Sequence, residues 1–275
     1  MLGFEVTGEI AVLTLQTPPV NGLGLELRRR IVEALERAED SPTIAAVVII
    51  GSGKGFSGGA DIREFGTPKA LAAPHLLSVL RIVEECTKPV VAAIGGICMG
   101  GGFELTLACH YRVAAADAQL GLPEVKLGLL PGAGGTQRLP RAIGVERALN
   151  MIVSGKPVRA EELRDTALLD GVIAADQDLH AAAVEFARAL VAGGRGPKRL
   201  RDLPLSLPEA EAYLQFARTA VTAAAGPYPA PPACVQAVLA AAKGPFEAGL
   251  KRERELFVTL MASPESAALR HVFQA

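Results

Sequence analysis

Residues 90–109, VVAAIGGICMGGGFELTLAC, constrain this chain more than any other stretch, because twenty residues carry a single charge, Glu104. A run of that length is long enough to span a bilayer. It also holds five glycines, three of them consecutive at 100–102, and directly follows Pro89. A carboxylate inside a membrane is costly, so the pattern predicts instead a buried strand over 90–95 that breaks into a helix from about Gly101. No membrane partner is expected.

The flanking sequence continues the theme. Residues 4–15 read as a hairpin, and 24–38 as an amphipathic helix with Leu25, Leu27, Ile31, Val32 and Leu35 on one face. IAAVVII at 44–50 is apolar throughout, as a strand covered on both faces must be. A helix over 75–88, a strand at 110–115 and a short apolar piece at 118–122 follow. Strands alternating with helices predict an α/β fold with a largely parallel sheet. Residues 145–155 and 160–171 read as helices, each ended by glycine, 172–175 as a strand and 178–192 as a helix. Beyond a basic, proline-rich connector only helices are expected, at 208–222 and 233–262. A soft boundary therefore falls near 195, between a core at 1–195 and a helical region at 196–275.

Half of the 275 residues are hydrophobic, enough for a sizeable core. Lys and Arg total 28 against 29 Asp and Glu, so no surplus cation is available to neutralise a phosphate backbone. Nucleic acid is excluded as the main partner. Cys86, Cys98, Cys109 and Cys234 lie in or beside apolar runs without a C-x-x-C pair, which predicts reduced thiols, a cytoplasmic setting and no metal site. The amino terminus lacks a charged n-region and a cleavage site, so export is not expected.

Two motifs overlap in VVIIGSGKGFSGGAD, residues 47–61. Gly53, Gly55 and Gly58 fit the dinucleotide fingerprint, while Gly55, Ser57 and Gly59 fit the nucleophile elbow of hydrolases. Neither context follows. The first needs a strand ending in an acid about 20 residues on, where a helix is expected instead. The second needs the strand to run into the serine, but it ends near Gly51, and His180 and His271 sit in polar helical settings.

Chemistry gathers elsewhere. Glycines at a helix start leave backbone N–H groups without intrahelical partners, and Glu104, three residues after Gly101, shares their helix face. The loop at Gly58, Gly59 and Ala60 can supply another amide, and two amides aimed at one oxygen form an oxyanion hole. Glu124 is flanked by Leu122, Pro123, Val125 and Leu127. Apolar surroundings raise a carboxyl pKa, so one of two neighbouring glutamates can keep its proton and the pair can do acid/base work on a water. Taken singly, Glu104 also fits a helix-terminal carboxylate and Glu124 a solvated loop residue.

In order, GSGKGFSGGADIREF, MGGGFELTLAC and LPEVKLGLLPGAGGTQRLPRAIG resemble the crotonase (enoyl-CoA hydratase/isomerase) family over most of residues 4–195. The resemblance implies a spiral core of ββα repeats with a helical C-terminal region, and no cofactor, coenzyme A being part of the acyl-CoA substrate. It implies that the Ala60 and Gly101 amides hold the thioester oxygen, that Glu104 (mainly base) and Glu124 (mainly proton donor) hold the water added across C2–C3, and that Gly132 helps position it. Gly58, Gly59, Asp61 and Ile62 would line the substrate. Arg63 aligns beside the coenzyme A moiety and Lys54 lies close in sequence, although both also fit solvated surface charges. Residues 64–72 read as a mobile edge over the acyl pocket, and Cys98 and Met99 as packing. Two glutamates favour trans-2-enoyl-CoA hydration in fatty-acid β-oxidation with Δ3,Δ2-enoyl-CoA isomerisation beside it; the alternative is a hydrolase or decarboxylase on the same fold. TPPVNGLG, CHYRVAA with His110 at a usual Asp position, and the tail from Gly244 resemble the N-terminal part of multifunctional fatty-acid oxidation enzymes. That implies a covalent 3-hydroxyacyl-CoA dehydrogenase domain as partner, with a homo-oligomer also open.

Overall fold

The computed structural model describes residues 1–205 and 210–274. A hairpin of β1 (Leu2–Thr7) and β2 (Ile10–Leu15) leads into α1 (Leu25–Asp40) and β3 (Ala46–Gly51). The short α2 (Pro68–Leu71), α3 (Leu76–Glu85), β4 (Val90–Ile94), β5 (Ile97–Met99), α4 (Gly101–Ala108), β6 (Tyr111–Ala115) and β7 (Gln119–Gly121) follow. Next come α5 (Gly135–Ile143), α6 (Val145–Ser154), β8 (Val158–Arg159), β9 (Gly171–Ile173) and α7 (Leu179–Ala192). The chain continues through α8 (Ala210–Ala225), α9 (Ala230–Lys243), α10 (Phe246–Met261) and α11 (Pro264–Gln274).

Two compact units emerge, Met1–Leu120 with Val158–Arg199, and Gly121–Pro157 with Leu200 onward. The last crossover lies near the soft boundary at 195, but residues 121–157 group with the C-terminal helices rather than with the sheet.

In the first unit a six-stranded sheet runs β1-β2-β3-β4-β6-β9, antiparallel only at β1–β2. Its interior strands are mostly apolar because both faces are covered, Arg112 of β6 being the buried exception. Ile10, Val12, Val48, Val91, Ala93 and Val113 pack with Ala183, Val184, Ala187 and Leu190 of α7. The alternate residues Leu13, Val47, Ile49 and Ala92 point the other way and are equally buried. A smaller sheet, β5-β7-β8, takes the second strand of successive turns, so β4, β5 and α4 form one ββα repeat of the expected spiral.

Several local expectations need correction. Residues 160–171 form only a single 3-10 turn at Ala160–Leu163. Thr166 explains the break: its hydroxyl donates to the Leu163 carbonyl (2.6 Å) and accepts from the Leu168 N–H (3.3 Å), competing with helical bonding. The expected helix over 233–262 is two, α9 and α10, separated at Gly244–Pro245. Residues 208 and 209 of the expected 208–222 helix lie outside the described residues. Strands β5 and β8 and helix α5 carry no clear signal in the sequence pattern.

The second unit is helical. Small residues of α9, Ala233, Cys234, Ala237 and Ala241, are all buried there.

Candidate active site

Strands β3 and β4 are hydrogen-bonded parallel neighbours, so the segments leaving their carboxyl ends emerge side by side. One is the loop 52–61; the other is β5 followed by α4. They are joined by main-chain bonds from Ser57 N–H to the Ile97 carbonyl (3.1 Å) and from Met99 N–H to the Ser57 carbonyl (2.9 Å). Gly59 is where the loop meets the start of α4. Its φ is +105°, and a Cβ there would lie 2.9 Å from Met99 O and 3.2 Å from Gly101 N. Ala60 N in turn lies 3.2 Å from where a Cβ on Gly101 would sit.

All eight residues of α4 are buried, so both its ends need partners. The carboxyl end has them: the fully buried Arg112 donates to the carbonyls of Thr106 (3.1 Å), Cys109 (2.5 Å) and His110 (3.0 Å). A cation there also complements the helix dipole. The amino end is different. Gly100 supplies no side-chain cap, and among the described residues neither Ala60 N–H nor Gly101 N–H has a hydrogen-bond acceptor. Glu104, 3% exposed, sits in the first turn. Two adjacent amide donors at the positive end of a dry helix favour an oxygen that gains negative charge.

The remainder of the loop is internally paired. Arg63 donates through Nε (2.9 Å) and Nη2 (2.8 Å) to Asp61, and these bonds hold the Asp61 carboxyl below its usual range. The Arg63 side chain is 79% exposed and Lys54 is exposed as well, while Ile62 and Asp61 are half-buried. Gly58 is exposed and its N–H is tied to the Val20 carbonyl (2.6 Å). The edge beyond, expected to be mobile, is anchored by the buried Arg28, which donates to the carbonyls of Lys69 and Pro74 (2.9 Å each) and pairs with Glu64 (3.4 Å). Glu64 also accepts from the first helical N–H of α1, at Leu25 (2.9 Å). The sequence signal for Arg28 is faint, an arginine between Leu27 and Ile31 on the apolar face of an amphipathic helix.

In the second unit Glu124 opens the 3-10 turn Glu124–Leu127 after Pro123 and is half-buried; its carbonyl accepts from Leu129 N–H (3.0 Å). Gly132 lies under the Phe257 ring of α10, where a Cβ would come within 2.3 Å. Glu253 of the same helix closes the amino end of α5, accepting from Gly134 N–H (2.7 Å), Thr136 N–H (3.0 Å) and the Thr136 hydroxyl (2.5 Å). Nothing in the sequence pointed to this carboxylate, since its partners are 117 residues away or more.

Other candidates resolve as structural. Ser57 is 1% exposed and no strand runs into it, and no long helix follows Gly58, so neither overlapping motif is realised. Cys98 is wholly buried and burial pushes its thiol up, which fits packing. His110 accepts from Val90 N–H at Nδ1 (3.0 Å), leaving Nε2–H for the Glu84 carbonyl (3.1 Å), and burial holds its pKa down. Among the described residues no group of three or more His, Cys, Asp or Glu is placed to hold a metal, and no helix is long and apolar enough to cross a membrane.

The family described as enoyl-CoA hydratase/isomerase matches residues 5–203. The chain belongs to the enoyl-CoA hydratase/isomerase family. Within that family it is 45% identical over 271 residues to the peroxisomal bifunctional enzyme of Danio rerio, covering 98% of this chain and 37% of that relative. The chain thus spans little more than a third of the length of the curated relatives it first matches. The "Probable enoyl-CoA hydratase" of Bacillus subtilis (strain 168) is 40% identical over 201 residues, 70% of this chain and 76% of that protein. An enoyl-CoA hydratase structure from Mycobacterium avium subsp. paratuberculosis K-10 shares the fold, with a TM-score of 0.71 at 24% identity over 99% of this chain and 95% of that one.

Proposed function

We propose that the chain hydrates trans-2-enoyl-CoA to 3-hydroxyacyl-CoA in fatty-acid β-oxidation and also moves a double bond between C3 and C2 as an isomerase. The observation that carries this is the open amino end of α4, where the Ala60 and Gly101 amides come together beside buried Glu104. Water addition to a conjugated thioester builds an enolate whose charge collects on the carbonyl oxygen, and each amide donor there contributes roughly 3–4 kcal/mol to the transition state. Glu104 is assigned the base work on water and Glu124 the proton delivered to C2, with Gly132 positioning the water. A coupled pair need not divide these roles cleanly. Gly58, Gly59, Asp61 and Ile62 border the acyl thioester, and the exposed Arg63 and Lys54 are cations for the coenzyme A phosphates. Coenzyme A enters with the substrate, so no separate cofactor is invoked.

The relatives named bifunctional or multifunctional support a further covalent partner, a 3-hydroxyacyl-CoA dehydrogenase domain, and self-association stands beside it as a second kind of partner. Four free, buried cysteines suit a reducing compartment, the cytoplasm on that ground alone, while several relatives carry peroxisomal or glyoxysomal names.

The test is loss of the enoyl-thioester absorbance with short and long trans-2-enoyl-CoA. Glu104→Gln and Glu124→Gln are each expected to lower kcat by about 10²–10⁴. Hydration retained in Glu124→Gln would overturn the assignment. Release of free coenzyme A, read with a thiol reagent, would favour the hydrolase alternative.

A further inference from the structure

We infer that Asn21 and Ser57 form a positioning relay that sets the two amides of the proposed oxyanion hole; the inference rests on the function proposed above. Asn21 is 2% exposed and stands in the left-handed region at φ 52°, the one non-glycine with positive φ among the described residues. Asparagine tolerates that backbone better than other side chains. Its Nδ2 donates to the carbonyls of Ser52 (2.9 Å), Gly55 (3.0 Å) and Phe56 (3.2 Å), gripping the loop just before the amide. Its Oδ1 accepts from Thr17 N–H (2.9 Å).

Ser57 carries the grip onward. Its hydroxyl donates to the Asn21 main-chain carbonyl (2.7 Å) and accepts from Gly59 N–H (3.1 Å), one residue before Ala60. Its main chain brackets β5, accepting from Met99 N–H (2.9 Å) two residues before Gly101. Main-chain bonds from Gly58 N–H to Val20 (2.6 Å) and from Leu23 N–H to Gly59 (2.8 Å) bind the same two segments. One buried relay thus reaches both amides, and neither side chain needs to touch substrate. The serine that mimics a nucleophile in sequence spends its hydroxyl proton on the scaffold and accepts a bond from it as well.

The test uses Asn21→Gly, which keeps the left-handed backbone available, and Ser57→Ala, which keeps the volume. Two readouts separate positioning from simple folding: the red shift of bound trans-cinnamoyl-CoA, which reports polarisation of the thioester carbonyl, and hydrogen exchange at residues 59–60 without ligand. The expected result is a kcat lowered at least about tenfold, toward the hundredfold that a misplacement of about 1 Å can cost, with KM little changed. The red shift should shrink and exchange at 59–60 should quicken. Folded variants with full red shift, unaltered exchange and kcat within about twofold of wild type would overturn the relay. A wild type that fails to hydrate enoyl-CoA sinks the proposed function; faster exchange in the variants would then still uphold the relay as a holder of the loop, and unchanged exchange would overturn it too.

Discussion

Helices α4 and α5 begin alike and end up serving opposite purposes. Each follows a glycine-rich run, MGGG before the first and PGAGG at the second, and neither carries a local side-chain cap. At α5 the side chain of Glu253 arrives from α10 and accepts from the Gly134 and Thr136 N–H groups, so that end is closed by a hydrogen-bonded side chain. At α4 no side chain among the described residues accepts from the Gly101 N–H, and the Ala60 amide lies beside Gly101 instead. A closed end stabilises the fold, whereas an open one, with its far end neutralised by Arg112, has its donors left over for a ligand oxygen.

The strongest way to break this contrast is to block the open end. Gly59→Ala places a methyl group against Met99 O and Gly101 N at a φ of +105°, so hydration should fall by about 10²–10³ for a stability cost of about 1–3 kcal/mol. Steady-state kinetics beside a denaturant melt would measure both, and activity retained in a folded Gly59→Ala would show that the amides do not act together. At the closed end the ranking reverses. Glu253→Ala strips three buried bonds from α5 and should cost about 2–4 kcal/mol, visible as a lower urea midpoint. An unshifted midpoint would mean that α5 needs no cap.

Acidification offers a smaller effect at the far end of α4. Burial depresses the His110 pKa in the folded protein, so the unfolded chain binds the extra proton first. The His110 contribution is complete above its unfolded value near 6.5 and fades as pH drops through the lowered folded value. Thermal midpoints should therefore decline on acidification below about pH 6.5, and His110→Gln should flatten that decline. A slope unaltered by the substitution would assign it to other groups.

The mildest expectation concerns thiols at either side of α4. Cys109 is pushed up to about 12 by burial and Cys98 is pushed up as well. Neither is a thiolate at neutral pH, so a thiol reagent should leave activity unchanged until denaturant is added. Rapid native labelling of Cys98 or Cys109 would show that the ends of α4 open.

Much of the sheet was legible because its residues obey local rules. The apolar runs at 46–51 and 90–94 demanded strands covered on both faces, and α1 showed its apolar stripe. Glycine spacing marked the loop at Gly59 and the start of α4, and the ordered motifs named the family. By contrast, residues 160–171 had helical composition but broke at Thr166, where a hydroxyl outcompeted the backbone. Helix α5 was hidden because its cap comes from Glu253, far along the chain.

What the sequence determined by itself was therefore the kind of element each stretch forms and which backbone positions had to be bare, since propensity, periodicity and the lack of a Cβ act within a few residues. Which helix end is closed and which stays open was decided only by tertiary structure. Charge and hydrogen bonding there depend on groups brought together across long separations, such as Asn21 with Phe56, Arg28 with Pro74 and Glu253 with Gly134. No local pattern encodes a partner that only folding brings within reach.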